Sequence, residues 1–274
     1  MTSPILRKLA NFAPAGARRA LAGAVVDIKS LPARLADPVR RGEPWSFAHN
    51  VGNGDFQVIG VMLLANLKDH AGLRPVDQVL DIGCGNGRVA AQLAPFLSSA
   101  GGYFGFDISR RGIGACRRRF AGQPYMRFQH LDVWNGEYNP KGQVAESDTV
   151  FPVTDASVDL AFATSVFTHM QMPAVRRYLA EAVRVLKQGG RFAFTAFALE
   201  RGRETTEALP FQPFDATSWA VDPRYPERAI GHRREVLEAA VAEAGLKIRV
   251  FRRGYWVGVG EYDGGQDLFV VVKP

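Results

Sequence analysis

The sequence predicts a doubly wound α/β domain built around a mostly parallel sheet. Three observations support this fold class. Helical and strand patterns alternate from residue 55 to the end, and several short apolar segments end at a glycine or an acidic residue. The chain has 274 residues, 47% of them hydrophobic, which suits one large globular domain. Alternation of this kind implies a parallel sheet that is covered by helices on both faces.

The elements follow one another in a regular order. Asp55 is a suitable N-cap for a helix from 56 to about 70. Strands are expected near 77–82, 102–107, 126–131, 158–163, 190–198, 246–252 and 267–273. Helices are expected near 87–97, 109–120, 173–187 and 232–244. Residues 199–231 contain four prolines and are predicted to form an irregular insertion after the fifth strand.

The most informative segment joins the first strand to the following helix. Residues 79–87 read Val-Leu-Asp-Ile-Gly-Cys-Gly-Asn-Gly, and such a strand, glycine turn and helix form a nucleotide-binding unit. Gly83, Gly85 and Gly87 allow positive φ angles and leave room for a ligand that a Cβ would exclude. Asp107 ends the next strand, twenty residues after Gly87, where its carboxylate can accept both hydroxyls of a ribose.

Details of the turn favour a cationic nucleoside over a dinucleotide. Dinucleotide-binding turns follow G-x-G-x-x-G, but Arg88 stands where the third glycine should be. Asp81 would be unfavourable beside a pyrophosphate, whereas it would attract a sulfonium amino acid with a free ammonium group. The alternatives to an enzyme that uses such a cationic cofactor are a nicotinamide-dependent oxidoreductase and a non-catalytic cofactor-binding protein.

Five motifs in order resemble those of class I S-adenosylmethionine-dependent methyltransferases, over roughly residues 47–274. They are 79–87 for the first motif, 105–109 for the acidic second-strand motif, 130–133 for the third strand, 151–162 for the approach to strand four and 186–192 for the turn before strand five. Within the family, the chain resembles bacterial members that modify small molecules or glycans. The resemblance implies a Rossmann-like sheet of seven strands with an antiparallel last strand.

The resemblance also implies S-adenosyl-L-methionine as the cofactor. An acidic residue after the third strand is expected to face the adenine amine, which assigns that role to Asp132. The residues expected to contact the cofactor are Asp81, Gly83, Cys84, Gly85, Asn86, Gly87, Arg88, Asp107, Ile108, Asp132, Val133 and Thr164.

His169 is the candidate catalytic residue. It follows the fourth strand, and its imidazole titrates near working pH, so it could remove the proton of an acceptor hydroxyl. The alternatives are that His169 contacts the substrate or cofactor without transferring a proton, or that its role is structural. The aromatic or polar residues expected to contact the acceptor are Phe47, His49, Phe167, Trp219 and Tyr225, the last two within a predicted lid at 199–231.

Missing motifs narrow the expected reaction. The turn after strand four lacks the Asn- or Asp-Pro-Pro-Tyr of DNA amino-methyltransferases, the carboxylates that hold magnesium in catechol-type enzymes and the glutamate pair of arginine methyltransferases. The sequence therefore favours metal-independent transfer to an oxygen of a small molecule or glycan. Transfer to nitrogen or carbon of a small molecule or lipid is the alternative.

The positive charge is concentrated near the N-terminus. Residues 1–44 carry eight Lys or Arg and three Asp or Glu, a net charge of +5 out of +7 for the chain. The basic character therefore belongs to a predicted N-terminal extension rather than to the domain at 45–274, and no nucleic-acid partner is expected. Apolar residues at helical spacing (Ile5, Leu6, Leu9, Phe12, Val25, Ile28, Leu31 and Leu35) predict an amphipathic helix.

Three roles are open for this extension: a lid packed on the domain, contact with an anionic membrane or partner through residues 1–40, and an organelle-targeting segment. Cys84 and Cys116 provide no disulfide framework, and no apolar run reaches the length of a membrane span. We therefore expect a cytoplasmic protein, with peripheral contact at a membrane surface as one alternative. The sequence predicts no oligomeric state.

Overall fold

A computed structural model of the chain describes residues 15–37, 43–45 and 55–274. The predicted acceptor contacts Phe47 and His49 lie outside these residues. So do Ile5, Leu6, Leu9 and Phe12 of the predicted amphipathic helix.

A seven-stranded sheet forms the centre of the domain. Its strands are β1 (Gln78–Ile82), β2 (Gly102–Asp107), β3 (Met126–His130), β4 (Val158–Ala163), β5 (Leu186–Ala196), β10 (Lys247–Arg252) and β11 (Asp267–Val272). Their order is β10-β11-β5-β4-β1-β2-β3. Only β11 runs antiparallel to its neighbours within this sheet. The predicted doubly wound sheet with an antiparallel last strand is confirmed.

The helices that follow α1 (Ala15–Ala36) cover the two faces of the sheet. They are α2 (Phe56–Ala71), α3 (Arg88–Phe96), α4 (Arg110–Arg119), α5 (Met172–Val185) and α6 (Arg234–Glu243). The predicted cap of α2 is confirmed, because Asp55 Oδ1 accepts the backbone N–H groups of Gln57 and Val58, each at 3.0 Å. All the predicted strands and helices of 55–274 are present, with ends shifted by a few residues.

Alternate residues of β4 divide the core into two layers. Leu160 and Phe162 point towards the layer that holds α3, whereas Ala161 and Ala163 point towards the layer that holds α5. Burying one large apolar side chain stabilises the fold by about 1.5–3 kcal/mol. The buried apolar segments therefore hold the strands in the sheet. The candidate site lies at the carboxyl ends of these strands.

The segment after β5 differs from the prediction. Residues 199–231 were expected to be irregular, but they contribute to a small sheet of β6 (Ala198–Leu199), β7 (Gln212–Pro213), β8 (Ser218–Ala220) and β9 (Ile230–Arg233), ordered β6-β9-β8-β7. Strands of two to four residues are too short to show a period of two, so proline content dominated the prediction. Buried His232 contacts Ser218 Oγ at 2.9 Å and the Met170 carbonyl at 2.9 Å, which ties this small sheet to the turn after β4.

The helix α1 exposes an apolar row. Leu21, Val25, Ile28, Leu31 and Leu35 are all exposed, Ile28 by 71%. On its other side, Arg34 donates to the carbonyls of Glu43 and Pro44 at 2.8 and 2.9 Å. Within the described residues, no helix is both long and apolar enough to cross a membrane.

Candidate active site

A cavity of about 310 Å³ lies beyond the carboxyl ends of β1, β2 and β4. Gly83 and Gly85 line it from the turn after β1, Asp107 from the end of β2 and Thr164 from the turn after β4. Open α/β sheets bind their ligands at this edge. The structure therefore brings together residues that are far apart in the sequence but were predicted to share a site.

The glycine turn has the backbone that its sequence predicts. Gly83, Gly85 and Gly87 have φ angles of +76°, +56° and +80°. A Cβ on Gly83 would lie 2.6 Å from Val166 Cγ2, and one on Gly87 would lie 3.0 Å from Cys116 Sγ. Gly83 is therefore required for close approach of the turn after β4, and Gly87 for close packing of α3 and α4.

Asp107 connects the glycine turn to the second strand. Its Oδ2 accepts the Gly85 N–H at 2.7 Å, and its Oδ1 accepts the Ser109 N–H at 2.6 Å. Each carboxylate oxygen can accept a further hydrogen bond, so the group can hold the turn and bind a ligand together. Burial raises the pKa of Asp107, and the two backbone donors oppose that rise.

His169 lies in a 3₁₀ turn, Phe167–His169, and lines the same cavity. Its Nδ1 is 2.8 Å from the backbone carbonyl of Glu227, which can only accept a hydrogen bond. The proton of the neutral imidazole must therefore be on Nδ1, which leaves a lone pair on Nε2. Nε2 is 3.4 Å from the hydroxyl of Tyr138, which lines the cavity as well.

Comparison with known proteins agrees with this geometry. Residues 80–194, which contain the glycine turn, Asp107 and His169, match the family model described as a methyltransferase domain. Residues 80–194 form a methyltransferase domain, and the fold of the chain is that of solved S-adenosylmethionine-dependent methyltransferases of class I.

The relatives differ in what they are named for. The chain is 35% identical over 117 residues to a phthiotriol/phenolphthiotriol dimycocerosates methyltransferase of Mycobacterium tuberculosis, covering 43% of this chain and 36% of the relative. It is 29% identical over 202 residues to a malonyl-[acyl-carrier protein] O-methyltransferase of Methylococcus capsulatus. This match covers 72% of this chain and 62% of the relative. The matched part spans about a third of the length of the first curated relatives.

A solved structure with the same fold is the geranyl diphosphate C-methyltransferase of Streptomyces coelicolor. It aligns with a TM-score of 0.54 at 15% identity, over 79% of this chain and 80% of that one. That protein was crystallised with Mg²⁺, geranyl diphosphate and S-adenosyl-L-homocysteine. The likeness supports the fold of the methyltransferase domain.

The residues of this domain fit a nucleoside cofactor at the glycine turn. Gly83 and Gly85 present backbone rather than side chains to the cavity, and Asp107 stands beside them as an acceptor. Ile108, Val133 and Thr164 also line the cavity. These six predicted contacts are therefore brought together at the site.

The other predicted cofactor contacts lie behind the turn or beside it. Cys84 and Asn86 are buried, and neither polar atom of the Asn86 carboxamide has a hydrogen-bond partner among the described residues. Arg88 is buried at the start of α3, and Asp132 accepts from Asn139 Nδ2 at 3.3 Å. None of these four side chains, nor Gly87, lines the cavity, so direct contact by them stays a prediction.

Asp81 is oriented away from the cavity. The hydroxyl of Tyr103 donates to Asp81 Oδ2 at 2.7 Å, and both residues are buried. Burial raises the pKa of Asp81 to about 8, although the Tyr103 hydrogen bond acts in the opposite direction. At neutral pH this carboxyl therefore tends to keep its proton. It must lose that proton before it can attract a cation as the sequence predicts.

The predicted acceptor contacts are placed elsewhere. Phe167 is fully buried in the core, where its ring packs 4.8 Å from that of Phe194, so it does not form a cavity wall. Trp219 lies under the Arg233 guanidinium at 4.1 Å, and Tyr225 lies 4.4 Å from that of Arg228. The 199–231 segment instead reaches the site through the Glu227 carbonyl that holds His169.

The polar residues of the cavity that were not identified from the sequence include Asn135, Tyr138, Glu146 and Gln266. Gln266 Oε1 accepts from Ser165 Oγ at 3.1 Å and Thr195 Oγ1 at 2.6 Å, which orients its amide nitrogen away from those hydroxyls. The residues between β3 and β4 show no helical or strand period, so no pattern singled them out. The only signal available was a carboxyl, an amide and a phenol within twelve residues of an otherwise irregular segment.

Proposed function

We propose that this protein transfers a methyl group from S-adenosyl-L-methionine to a hydroxyl of a small molecule or glycan, without a metal ion. The observation that carries the proposal is the position of His169, whose Nδ1 is held by the Glu227 carbonyl and which lines the same cavity as the glycine turn and Asp107. The methyltransferase domain and the absence of carboxylates in the turn 163–165 support it.

Residues at the carboxyl ends of β1 and β2 would bind the cofactor. Asp107 would hold the ribose hydroxyls, and Gly83 and Gly85 would pack against the nucleoside or amino-acid part. When bound, the cofactor supplies a methyl group on a sulfonium, whose leaving group is a neutral thioether. The protein therefore has no departing anion to stabilise, and its task is to align the reactants and exclude water.

His169 would remove the acceptor proton. Nε2 would take up the hydroxyl proton, and the bound cofactor would supply the methyl group that the acceptor oxygen receives. The Glu227 carbonyl, 2.8 Å from Nδ1, holds the ring orientation and stabilises the imidazolium that results. We propose that residues 199–231 act as the lid. This segment presents Glu227 from the turn between β8 and β9 of the small sheet.

A second candidate is transfer to carbon or nitrogen of a small molecule or lipid. Its support is the apolar wall formed by Phe106, Ile108, Val133, Val166 and Met170, which suits a prenyl or acyl chain. Among the relatives are proteins named for lipid and demethylmenaquinone methylation.

We also propose that residues 1–40 form an extension that contacts an anionic membrane surface. The exposed apolar row of α1 and the net charge of +5 over residues 1–44 support this placement.

Transfer of labelled methyl from S-adenosyl-L-methionine to a panel of hydroxylated small molecules, glycans, quinones and lipids tests the function. With an acceptor found, His169→Ala should lower kcat by about 10²–10⁴-fold while cofactor affinity is kept. His70→Ala changes a histidine of α2 that does not line this cavity, and it is the matched control. This variant should keep the wild-type kcat and cofactor affinity. Full turnover by folded His169→Ala would rule out its role as base, and labelling of carbon or nitrogen would favour the second candidate.

A further inference from the structure

The cavity contains a carboxyl that the proposed mechanism leaves unused. Glu146 begins the 3₁₀ turn Glu146–Asp148, which packs against α5, and it lines the same cavity as Gly83, Gly85 and Asp107. Among the described residues, no arginine or lysine lines this cavity. A carboxylate here therefore has no cation of the described chain beside it within the cavity.

Glu146 is held in one position by a buried amide. Asn135 Nδ2 donates to Glu146 Oε1 at 2.8 Å and to the His169 carbonyl at 3.3 Å. Asn135 Oδ1 in turn accepts the backbone N–H groups of Glu137 and Tyr138 at 3.1 and 3.0 Å. Because Asn135 is buried and fully engaged, it fixes Oε1 and leaves Oε2 as the oxygen available to a molecule in the cavity.

The surroundings of Glu146 disfavour its charged form. Its pKa is raised to about 7. Burial is the main cause, the negative charge of Glu227 adds to the rise, and the Asn135 hydrogen bond opposes it. Tyr178 from α5 interacts electrostatically with both Glu146 and Asp107, and Asp107, Tyr138 and His169 are the other titratable residues that line the cavity. Because its pKa lies well above the usual value for a glutamate, a positive charge that enters the cavity would favour loss of its proton.

We propose that Glu146 distinguishes the cationic cofactor from its neutral product by becoming fully ionised when a sulfonium occupies the cavity. The inference rests on the proposed function, since it assumes that the cofactor binds here. On binding, the Glu146 carboxyl loses its proton to solvent and becomes a carboxylate, which balances the incoming charge. After methyl transfer the sulfur is neutral, the carboxylate takes up a proton again, and the attraction that retained the cofactor is lost.

A comparison of two ligands isolates the response of the protein to the sulfonium charge. S-adenosyl-L-methionine and S-adenosyl-L-homocysteine have the same ribose and the same ammonium group, so contributions of Asp107 and Asp81 to those parts cancel in the difference. Only the sulfonium charge and the methyl group differ between the ligands. Proton release by the first ligand but not by the second therefore reports on a group that senses the sulfonium.

Isothermal titration of the full chain with each ligand, in phosphate and in Tris at pH 7, measures that release. For the wild type we expect S-adenosyl-L-methionine to release more protons than S-adenosyl-L-homocysteine does. Glu146→Gln, which keeps an oxygen for Asn135, should abolish the difference and reduce the affinity ratio of the two ligands by about tenfold. Asp148→Asn makes the same charge change in the same 3₁₀ turn but outside the cavity, and it should behave as the wild type.

The outcomes separate this inference from the proposed function. Unchanged proton release and an unchanged affinity ratio in Glu146→Gln would overturn the role of Glu146, whereas failure of the wild type to bind either ligand would overturn the proposed function itself. Should Glu146→Gln not fold, the wild type still decides. Its affinity ratio should increase between pH 6 and pH 8 as the carboxyl ionises, and a flat ratio would contradict the proposal.

Discussion

His169 donates its Nδ1 hydrogen to the backbone carbonyl of Glu227, 2.8 Å away and 58 residues further along the chain. The contact joins the turn after β4 to the small sheet that follows β5. It fixes the tautomer of the imidazole through a backbone group, so substitution of the Glu227 side chain should leave the Nδ1 hydrogen bond intact. The structure thus provides an imidazole of fixed tautomer that lines the same cavity as Gly83 and Gly85.

Removal of the Asp107 carboxylate should weaken cofactor binding. Asp107→Ala removes the proposed acceptor for the ribose hydroxyls and the two backbone hydrogen bonds from Gly85 and Ser109. We expect affinity for S-adenosyl-L-methionine to decrease about 10- to 100-fold, measured by calorimetry. Asp107→Asn retains one oxygen acceptor and should lose less. Wild-type affinity in a folded Asp107→Ala protein would exclude the ribose contact.

The glycine turn should not tolerate a side chain at Gly83. Gly83→Ala would place a Cβ 2.6 Å from Val166 Cγ2 at a φ of +76°. We expect a loss of about 2–4 kcal/mol in the free energy of unfolding, from backbone strain and overpacking together. Gly122→Ala is the control, because its Cβ would meet no atom within 4 Å. Equal melting temperatures for the two variants would contradict the required close approach.

The buried Asp81 should reduce stability at neutral and alkaline pH. Burial raises its pKa from the ordinary value of 3.8 to about 8, so the folded protein holds this proton more tightly than the unfolded chain. Its contribution to stability is therefore full below about pH 4 and is lost as the pH rises through 8. Asp81→Asn has no proton to lose, so it should gain about 1–3 kcal/mol over the wild type at pH 8 and much less at pH 5.

We also expect the same substitution to weaken cofactor binding at pH 8, because it removes a negative charge behind the glycine turn that would attract a cationic ligand. Chemical denaturation at both pH values and calorimetry at pH 8 check the two effects. A stability difference between variant and wild type that does not change with pH would contradict the buried, proton-holding carboxyl.

The sequence predicted most of the fold because its signals were local. Apolar segments of five or six residues and positive-φ glycines at Gly83, Gly85 and Gly87 fixed the strands and the cofactor turn. The site was predicted only in part. Phe167 follows β4 as expected, but the 3₁₀ turn directs its ring into the core, which depends on packing that a linear pattern does not contain.

Other parts of the site depend on contacts between distant segments. Gln266 meets Ser165 across 101 residues, and Glu146 reaches the cavity through an irregular segment held by Asn135. Neither has a spacing relative to the glycine turn that a sequence pattern could reveal. Chemistry-bearing side chains on irregular segments therefore need the structure to be assigned.

The exposed row of α1 should confer binding to anionic membranes. Full-length protein is expected to sediment with acidic liposomes and to be released at high salt. Ile28→Glu places a charge in this row and should reduce binding, because both apolar area and net positive charge are lost. Val259→Glu makes the same kind of change at another exposed apolar residue, 77% exposed, and is the control. Equal sedimentation of the two variants would indicate that α1 does not contact the membrane.

Calorimetric titration of the wild-type protein with S-adenosyl-L-methionine and with NAD tests the central claim most directly. The glycine turn, Asp107 and the cavity beyond β1 and β2 predict saturable, one-to-one binding of S-adenosyl-L-methionine and no binding of NAD. Gly85→Val, whose side chain would project from a cavity-lining position at a φ of +56°, should abolish that binding in a folded protein. Binding of NAD with no response to S-adenosyl-L-methionine would contradict the account.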